Sequence, residues 1–285
     1  MTSSILITAD ELAEALQGAT PPVVLDVRWA LGRTDGRDRY AEAHIPRAVY
    51  VDLDAELSGP PSAEAGRHPL PTEAALQEAA RRWGVRADRG VVVYDGNANF
   101  AAARAWWLLR HGGVRDVRLL DGALPAWTAS GRETAAGEET PAPGDIEIRY
   151  GSMPVLGIDE VAGFEGALLD ARAPERYRGD TEPIDPVAGH IPGAVNLPST
   201  GNVDESGFFH APEVLRGRVE QAAANDARIA AYCGSGVFAS HAVAALALAG
   251  YEAALYPGSW SQWSNDPSRP VATGDADDER ITPGI

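Results

Sequence analysis

Residues 229–239 read IAAYCGSGVFA. An apolar run leads into Cys233, Gly234 and Gly236 flank Ser235, and an alanine-rich stretch continues to Ala249 and Gly250. The run 229–232 fits a buried parallel strand. The run 239–249 fits a helix closed by Gly250. Residues 91–96, VVVYDG, share the strand ending and place Asp95 where Cys233 stands. Three more landmarks pair in the same order: LDVR at 25–28 with LDAR at 169–172, AHIPRAV at 43–49 with GHIPGAV at 189–195, and LLDGALPAW at 119–127 with LYPGSWSQW at 255–263. Asp26 and Asp170 are 144 residues apart, His44 and His190 146, Asp95 and Cys233 138, Gly122 and Gly258 136. Four landmarks at nearly one offset mean a duplicated domain, since the period is far too long for a solenoid.

Each copy alternates short apolar runs with amphipathic stretches. In the first, 23–27 and 91–94 predict buried strands, 72–83 a helix capped by Thr72, and 101–110 a second helix. In the second, 168–170 and 229–232 predict strands. Strand–helix alternation predicts an α/β fold, each copy a mostly parallel sheet with helices on both faces. The stretch 131–152 is rich in Gly, Pro, Thr and Glu and has little apolar content before Ile146. It reads as a linker. The expected division is 1–135, a linker at 136–152, and 153–285.

The chain has 285 residues, about twice an ordinary domain, with 24 Lys+Arg against 41 Asp+Glu, a net charge of −17. Such acidity argues against nucleic acid and against an anionic membrane surface, both of which need a basic footprint. One cysteine excludes an intrachain disulfide and any thiolate cluster for zinc or iron–sulfur. The start, MTSSILITADELAEAL, lacks the pattern of a signal peptide, and no apolar run has the length of a membrane span. The expectation is a cytoplasmic protein without metal or organic cofactor.

The chemistry is expected at Cys233. Two glycines permit a tight loop whose N–H groups turn inward, and a helix begins beside it. Donors and a helix N-terminus stabilise an anion there, and the thiolate is the nucleophilic form of cysteine. A lone cysteine is elsewhere a small buried hydrophobe. A strand–Cys–Gly-x-Gly–helix setting argues instead for a nucleophile.

Together, the paired HIPxAV motifs, the ERYRGDTEP stretch at 175–183, the CGSGV loop at 233–237 and PGSWSQW at 257–263 resemble the tandem-domain rhodaneses. The likeness runs over nearly the whole chain and is nearest the 3-mercaptopyruvate and thiosulfate sulfurtransferase branch. It implies two rhodanese-like domains, the first catalytically silent, as Asp95 agrees. It implies transfer of a sulfane sulfur from 3-mercaptopyruvate, or thiosulfate, through a Cys233 persulfide to a thiol such as a thioredoxin-like protein, or to cyanide. The family's Ser–His–Asp relay falls on Ser235, His68 and Asp54, with Asp54 preferred to Asp52 as the second acid of D-x-D. Donor binding falls on Arg176, with Arg178 as a second candidate, and on the loop residues Gly234, Gly236, Val237 and Phe238.

Two positions depart from the family pattern. The stretch TEPIDPVAGH at 181–190 lacks the further arginine that mercaptopyruvate enzymes often carry after TEP. Phe238 replaces the usual threonine of the loop. Gly234 and Ser235 are neutral where thiosulfate rhodaneses carry basic residues, which favours a mercaptopyruvate-like donor. A cysteine phosphatase would need an arginine closing the loop, and Ala239 and Ser240 occupy that place. The alternative is a persulfide carrier or interaction module in sulfur trafficking. His44 and His190 recur in both copies and read as structural. Trp106 and Trp107 read as core, and Trp260 and Trp263 as packing near the active-site cleft. The acidic stretch 275–279 reads as a solvated tail.

Overall fold

The computed structural model describes residues 5–223, 228–275 and 280–284; most of the acidic stretch 275–279 lies outside these. The chain forms two compact units. One holds the chain up to Gly59, Pro71–Met153 and Asp204–Phe209; the other holds Pro60–Leu70, Pro154–Val203 and the chain from His210 onward.

The first unit runs β1 Leu6–Ile7, α1 Ala9–Gln17, β2 Val23–Asp26, α2 Gly36–Glu42, β3 Ala48–Tyr50, α3 Leu53–Glu56, α4 Glu73–Arg82, β4 Val91–Tyr94, α5 Ala102–His111, β5 Val117–Leu120 and α6 Ala123–Ala129. Its five strands lie in the order β1-β5-β4-β2-β3, all parallel. The central β4 is four β-branched or aromatic residues, all buried, as a strand covered on both faces requires. Thr72 caps α4 by accepting the Ala75 N–H at 3.2 Å.

The second unit runs α7 Ile158–Ala162, β6 Ala167–Asp170, α8 Pro174–Tyr177, β7 Val195–Asn196, a 3-10 turn Ser199–Asn202, α9 Pro212–Ala223, β8 Ile229–Tyr232, α10 Val237–Leu248, β9 Ala253–Leu255, α11 Ser259–Trp263, and a hairpin of β10 Val271–Thr273 with β11 Arg280–Thr282. Its parallel sheet has the order β7-β6-β8-β9. Gly250, with φ +90°, follows α10 in the left-handed conformation expected of a helix-closing glycine.

The repeat is visible at matched positions. Arg28 pairs with Asp26 (2.7 Å) and Arg172 with Asp170 (2.6 Å), all four buried at the carboxyl end of β2 or β6. Each arginine also donates to the backbone of the HIPxAV region, Arg28 to the Ala43 carbonyl and Arg172 to that of Gly189. Buried charges survive only when paired and hydrogen-bonded in this way. His44 stacks on Tyr40 and shares a hydrogen bond with its carbonyl; His190 does the same with Tyr177. Both histidines are therefore structural. Trp106 and Trp107 are core residues of the first unit.

The stretch 136–152 packs on the first unit. Ile146 and Ile148 are buried, Arg81 Nε donates to the Ile146 carbonyl (2.9 Å), and Ile148 N–H donates to Gln77 (3.1 Å). Isoleucines two residues apart point the same way from an extended chain, and that alternation outweighs the Gly and Pro content around them.

Asp95 is buried at the end of β4. Its carboxylate accepts N–H groups from Asn97 (2.6 Å), Asn99 (2.9 Å), Ala101 (2.8 Å) and Ala102 (3.1 Å). Burial pushes its pKa up, and these four donors offset only part of that rise. The substitution Asp95→Leu strands buried donors and should lower the unfolding free energy by ~2 kcal/mol or more. Urea unfolding followed by tryptophan fluorescence reads this; an unchanged midpoint would mean the carboxylate is dispensable.

Candidate active site

In the second unit, successive connections leave β6 and β8 in opposite directions, β6 to β7 and β8 to β9. In open parallel sheets, ligands bind outside the carboxyl ends of strands at such a switch point. Cys233 follows β8 directly, and Arg172 and α8 follow β6. Sequence order alone thus brings the cysteine and the ERYR segment to one crevice.

The loop is held from beneath. Cys233 N–H donates to Ser259 Oγ (3.1 Å), and that hydroxyl donates to the Tyr256 carbonyl (2.9 Å). Trp260 N–H donates to the Cys233 carbonyl (2.9 Å) and Ser261 N–H to the Gly234 carbonyl (2.8 Å). With the outer polar groups so fixed, Gly236 N–H turns inward and donates to Cys233 Sγ at 3.2 Å. Gly236 has φ +81°, a conformation glycine adopts without strain, and α10 starts at the next residue, Val237. The buried thiol therefore sits at the N-terminus of a twelve-residue helix, where partial positive charge favours an anion.

The segment Pro60–Leu70 comes from the first sequence copy but folds with the second unit. It docks on α11: Arg67 N–H donates to Ser261 Oγ (3.1 Å), and Gln262 Nε2 donates to the Glu64 carbonyl (2.6 Å). This brings His68 to the loop, where its Nδ1 and Ser235 Oγ share a hydrogen bond of 2.7 Å. It also brings Arg67. A Cβ built on Gly234 would lie 3.0 Å from Arg67 Nη2 and 3.4 Å from Arg176 Nη1. Two guanidinium groups thus stand over the loop, and the glycine leaves them room.

Of the residues singled out from sequence, Cys233, Gly234, Ser235, Gly236, His68 and Arg176 come together. Val237 is buried as the first residue of α10, and Phe238 is half-buried with its carbonyl accepting from Ser199 Oγ (3.0 Å). Arg178 turns to Asp180 (2.8 Å) on the exposed side of its turn. Asp54 stands exposed on α3 of the first unit and accepts from Trp29 Nε1 (3.3 Å). Asp52 caps α3 through the Ala55 N–H. Trp260 and Trp263 are buried in the second unit's core, with Arg172 stacked 4.7 Å from the Trp260 ring centre. Arg67 was not anticipated, although it adjoins His68; neither were Ser259 and Ser261. Nothing in one sequence says which hydroxyls will face a loop that folds across from them. Among the described residues, no cluster of His, Cys, Asp and Glu could hold a metal ion, and no helix is long and apolar enough to cross a membrane.

The rhodanese-like domain family matches residues 8–130 and 158–266. A Mycobacterium tuberculosis protein provisionally named thiosulfate sulfurtransferase SseB is 46% identical over 278 residues, covering 95% of this chain and 98% of that protein. A Pseudomonas aeruginosa protein provisionally named 3-mercaptopyruvate sulfurtransferase is 46% identical over 291 residues, covering 96% and 100%. The crystal structure of SseA from Escherichia coli, a 3-mercaptopyruvate sulfotransferase, superposes with a TM-score of 0.80 at 31% identity, covering 90% of this chain and 99% of that one. The chain belongs to the rhodanese family, with a rhodanese domain in each half. It is a sulfurtransferase.

Gly66 is the hinge on which Arg67 and His68 depend. It has φ +87°, and an added Cβ would meet the Gly258 carbonyl at 2.8 Å and Ser261 Oγ at 2.9 Å. Gly66→Ala should therefore lower the unfolding free energy by ~1–3 kcal/mol and weaken sulfur transfer together with it. Thermal unfolding and turnover of the same preparation check this; wild-type values in both would place the segment elsewhere.

Proposed function

We propose that Cys233 carries sulfur from 3-mercaptopyruvate to an acceptor thiol. The reading rests on one arrangement: Cys233 Sγ receives the Gly236 N–H beneath Arg67 and Arg176, with His68 and Ser235 paired beside it. The Cys233 thiolate attacks the donor sulfur and forms the S–S bond. The sulfur–carbon bond of the donor breaks, and its electron pair leaves as the enolate of pyruvate. A proton completes pyruvate, and Cys233 holds the persulfide. An acceptor thiolate then attacks the outer sulfur, forms its own persulfide and releases the Cys233 thiolate. N–H donors at the helix start suit both anionic stages.

The relatives' names point to different donors, and the side chains favour one. An enolate is a strong base that needs a proton as it leaves, whereas sulfite, the product from thiosulfate, leaves without one. His68 joined to Ser235 gives a side-chain pair through which a proton can pass to the leaving enolate. Arginine forks suit the donor's carboxylate, and Arg67 Nη2 and Arg176 Nη1 and Nη2 all lie over Gly234, within 4 Å of a Cβ built there. We place the exchange in the cytoplasm, where small thiols and thioredoxin-like dithiols serve as acceptors.

Incubating the protein with 3-mercaptopyruvate should release pyruvate and raise the mass of the intact chain by one sulfur; Cys233→Ser should lose both signals while its circular dichroism stays unchanged. Persulfide loading by another sulfurtransferase without pyruvate release would instead mark a carrier. Arg176→Ala should raise KM for 3-mercaptopyruvate roughly tenfold or more, as expected for loss of a charged hydrogen bond. A change confined to the acceptor's kinetics would remove Arg176 from the donor site.

A further inference from the structure

The two arginines over the loop are not free charges. Arg67 Nη1 is bonded to one oxygen of Asp185, and Arg176 Nη2 lies 3.2 Å from the other. Arg176 is also held by Glu182, through Nη2 at 2.6 Å and Nε at 3.2 Å. Glu182 lies 3.5 Å from Arg172, which is paired with Asp170. Three arginines thus meet three carboxylates, and the acid side chains are almost wholly out of water: Asp185 2% exposed, Glu182 3%, Asp170 0%. Among the described residues, these paired groups leave no net charge for an incoming anion.

One tight turn builds this arrangement. Glu182 accepts the N–H groups of Ile184 (3.1 Å) and Asp185 (3.1 Å). That fold of the chain leaves Ile184 and Val187 exposed and turns Asp185 inward. Glu182 alone already fixes Arg176 by two hydrogen bonds, so Asp185 is not needed to position it. What Asp185 adds is negative charge shared between the two guanidinium groups.

We propose that Asp185 is a specificity-determining residue: its carboxylate removes the one positive charge that the three arginines would otherwise hold in excess of Glu182 and Asp170, so that the site takes a monoanionic carboxylate donor by hydrogen bonding alone and disfavours a dianionic one. This rests on the reading that the donor docks beneath these arginines. Each guanidinium offers the donor one Nη edge and gives its other edge to an acid. Two such edges satisfy one carboxylate by hydrogen bonding. A second negative charge on the donor finds no positive charge to offset its loss of water, and buried charges are little screened by salt.

The test compares thiosulfate and 3-mercaptopyruvate, each with cyanide as acceptor, in the wild type and in Asp185→Asn, which keeps shape and removes charge. The interaction gained scales with donor charge, so KM should fall roughly threefold for mercaptopyruvate and roughly tenfold for thiosulfate. The kcat/KM ratio then moves toward thiosulfate, and Asp185→Glu, which keeps the charge, holds the wild-type ratio. An unchanged ratio in Asp185→Asn, or an equal loss for both donors, overturns the proposal. A second measurement uses only the wild type: protection of Cys233 from iodoacetamide by pyruvate and by sulfate. Pyruvate protecting at lower concentration than sulfate supports the proposal, and sulfate protecting better overturns it. If the wild type turns over neither donor, the donor assignment falls, while repeating the protection experiment in Asp185→Asn still decides the role of Asp185: a narrowed preference for pyruvate over sulfate supports it, and an unchanged preference overturns it.

Discussion

Everything chemical in this fold depends on backbone N–H groups left over where a central parallel strand ends. The two halves of the chain fill that place differently. After β4 the Asp95 carboxylate takes four N–H donors and satisfies them permanently. After β8 the place is taken by Cys233, whose sulfur accepts the Gly236 N–H. A carboxylate has no further bond to make, whereas a thiolate can add one sulfur and remain an anion. The same local physics therefore holds a carboxylate in one unit and a thiol in the other. The buried pairs Asp26–Arg28 and Asp170–Arg172 stand at the adjacent strand ends in both, so the scaffold around the anion is shared.

The two units also exchange loops. Pro60–Leu70 leaves the first copy to fold with the second unit, and Asp204–Phe209 does the reverse. Phe209 N–H donates to Asp121 (3.0 Å), and Phe208 closes on Gly122, where an added Cβ would be 2.8 Å from its ring. The first exchange has a chemical result: a single hinge at Gly66 places both Arg67 and His68 at the loop. The net charge of −17 also takes on local meaning. Arg67 and Arg176, which stand over the loop, are balanced by Asp185 and Glu182. On the proposed function, the donor is recognised by the direction of hydrogen bonds more than by the field of the protein.

Much of this was legible in the sequence. The duplication, the buried strands at β4 and β8, the Thr72 cap and the Gly250 helix end follow from periodicity and from the conformational limits of single residues. Cys233 was legible because strand, glycines and helix are consecutive, so its surroundings are mostly local. Asp95 was legible as its counterpart for the same reason. The stretch 136–152 was misleading, since its composition says linker while two isoleucines bind it to the first unit. Arg176 was the first candidate from the resemblance and Arg178, two residues on in the same turn, the second; the short helix α8 turns them to different neighbours, Glu182 and Asp180.

The sequence by itself determined the repeated α/β scaffold and set Cys233 in the second copy where the first has Asp95, because each depends on residues adjacent in the chain. The tertiary structure alone decided which distant groups surround that cysteine. Arg67 and His68 lie more than 160 residues before Cys233, and only the docking of their segment on α11 brings them to it. Nothing adjacent to Asp185 in the chain marks it out; the turn at 182–185 places its carboxylate between two guanidinium groups. Charge balance in a site is a sum over space, and chain order does not carry it.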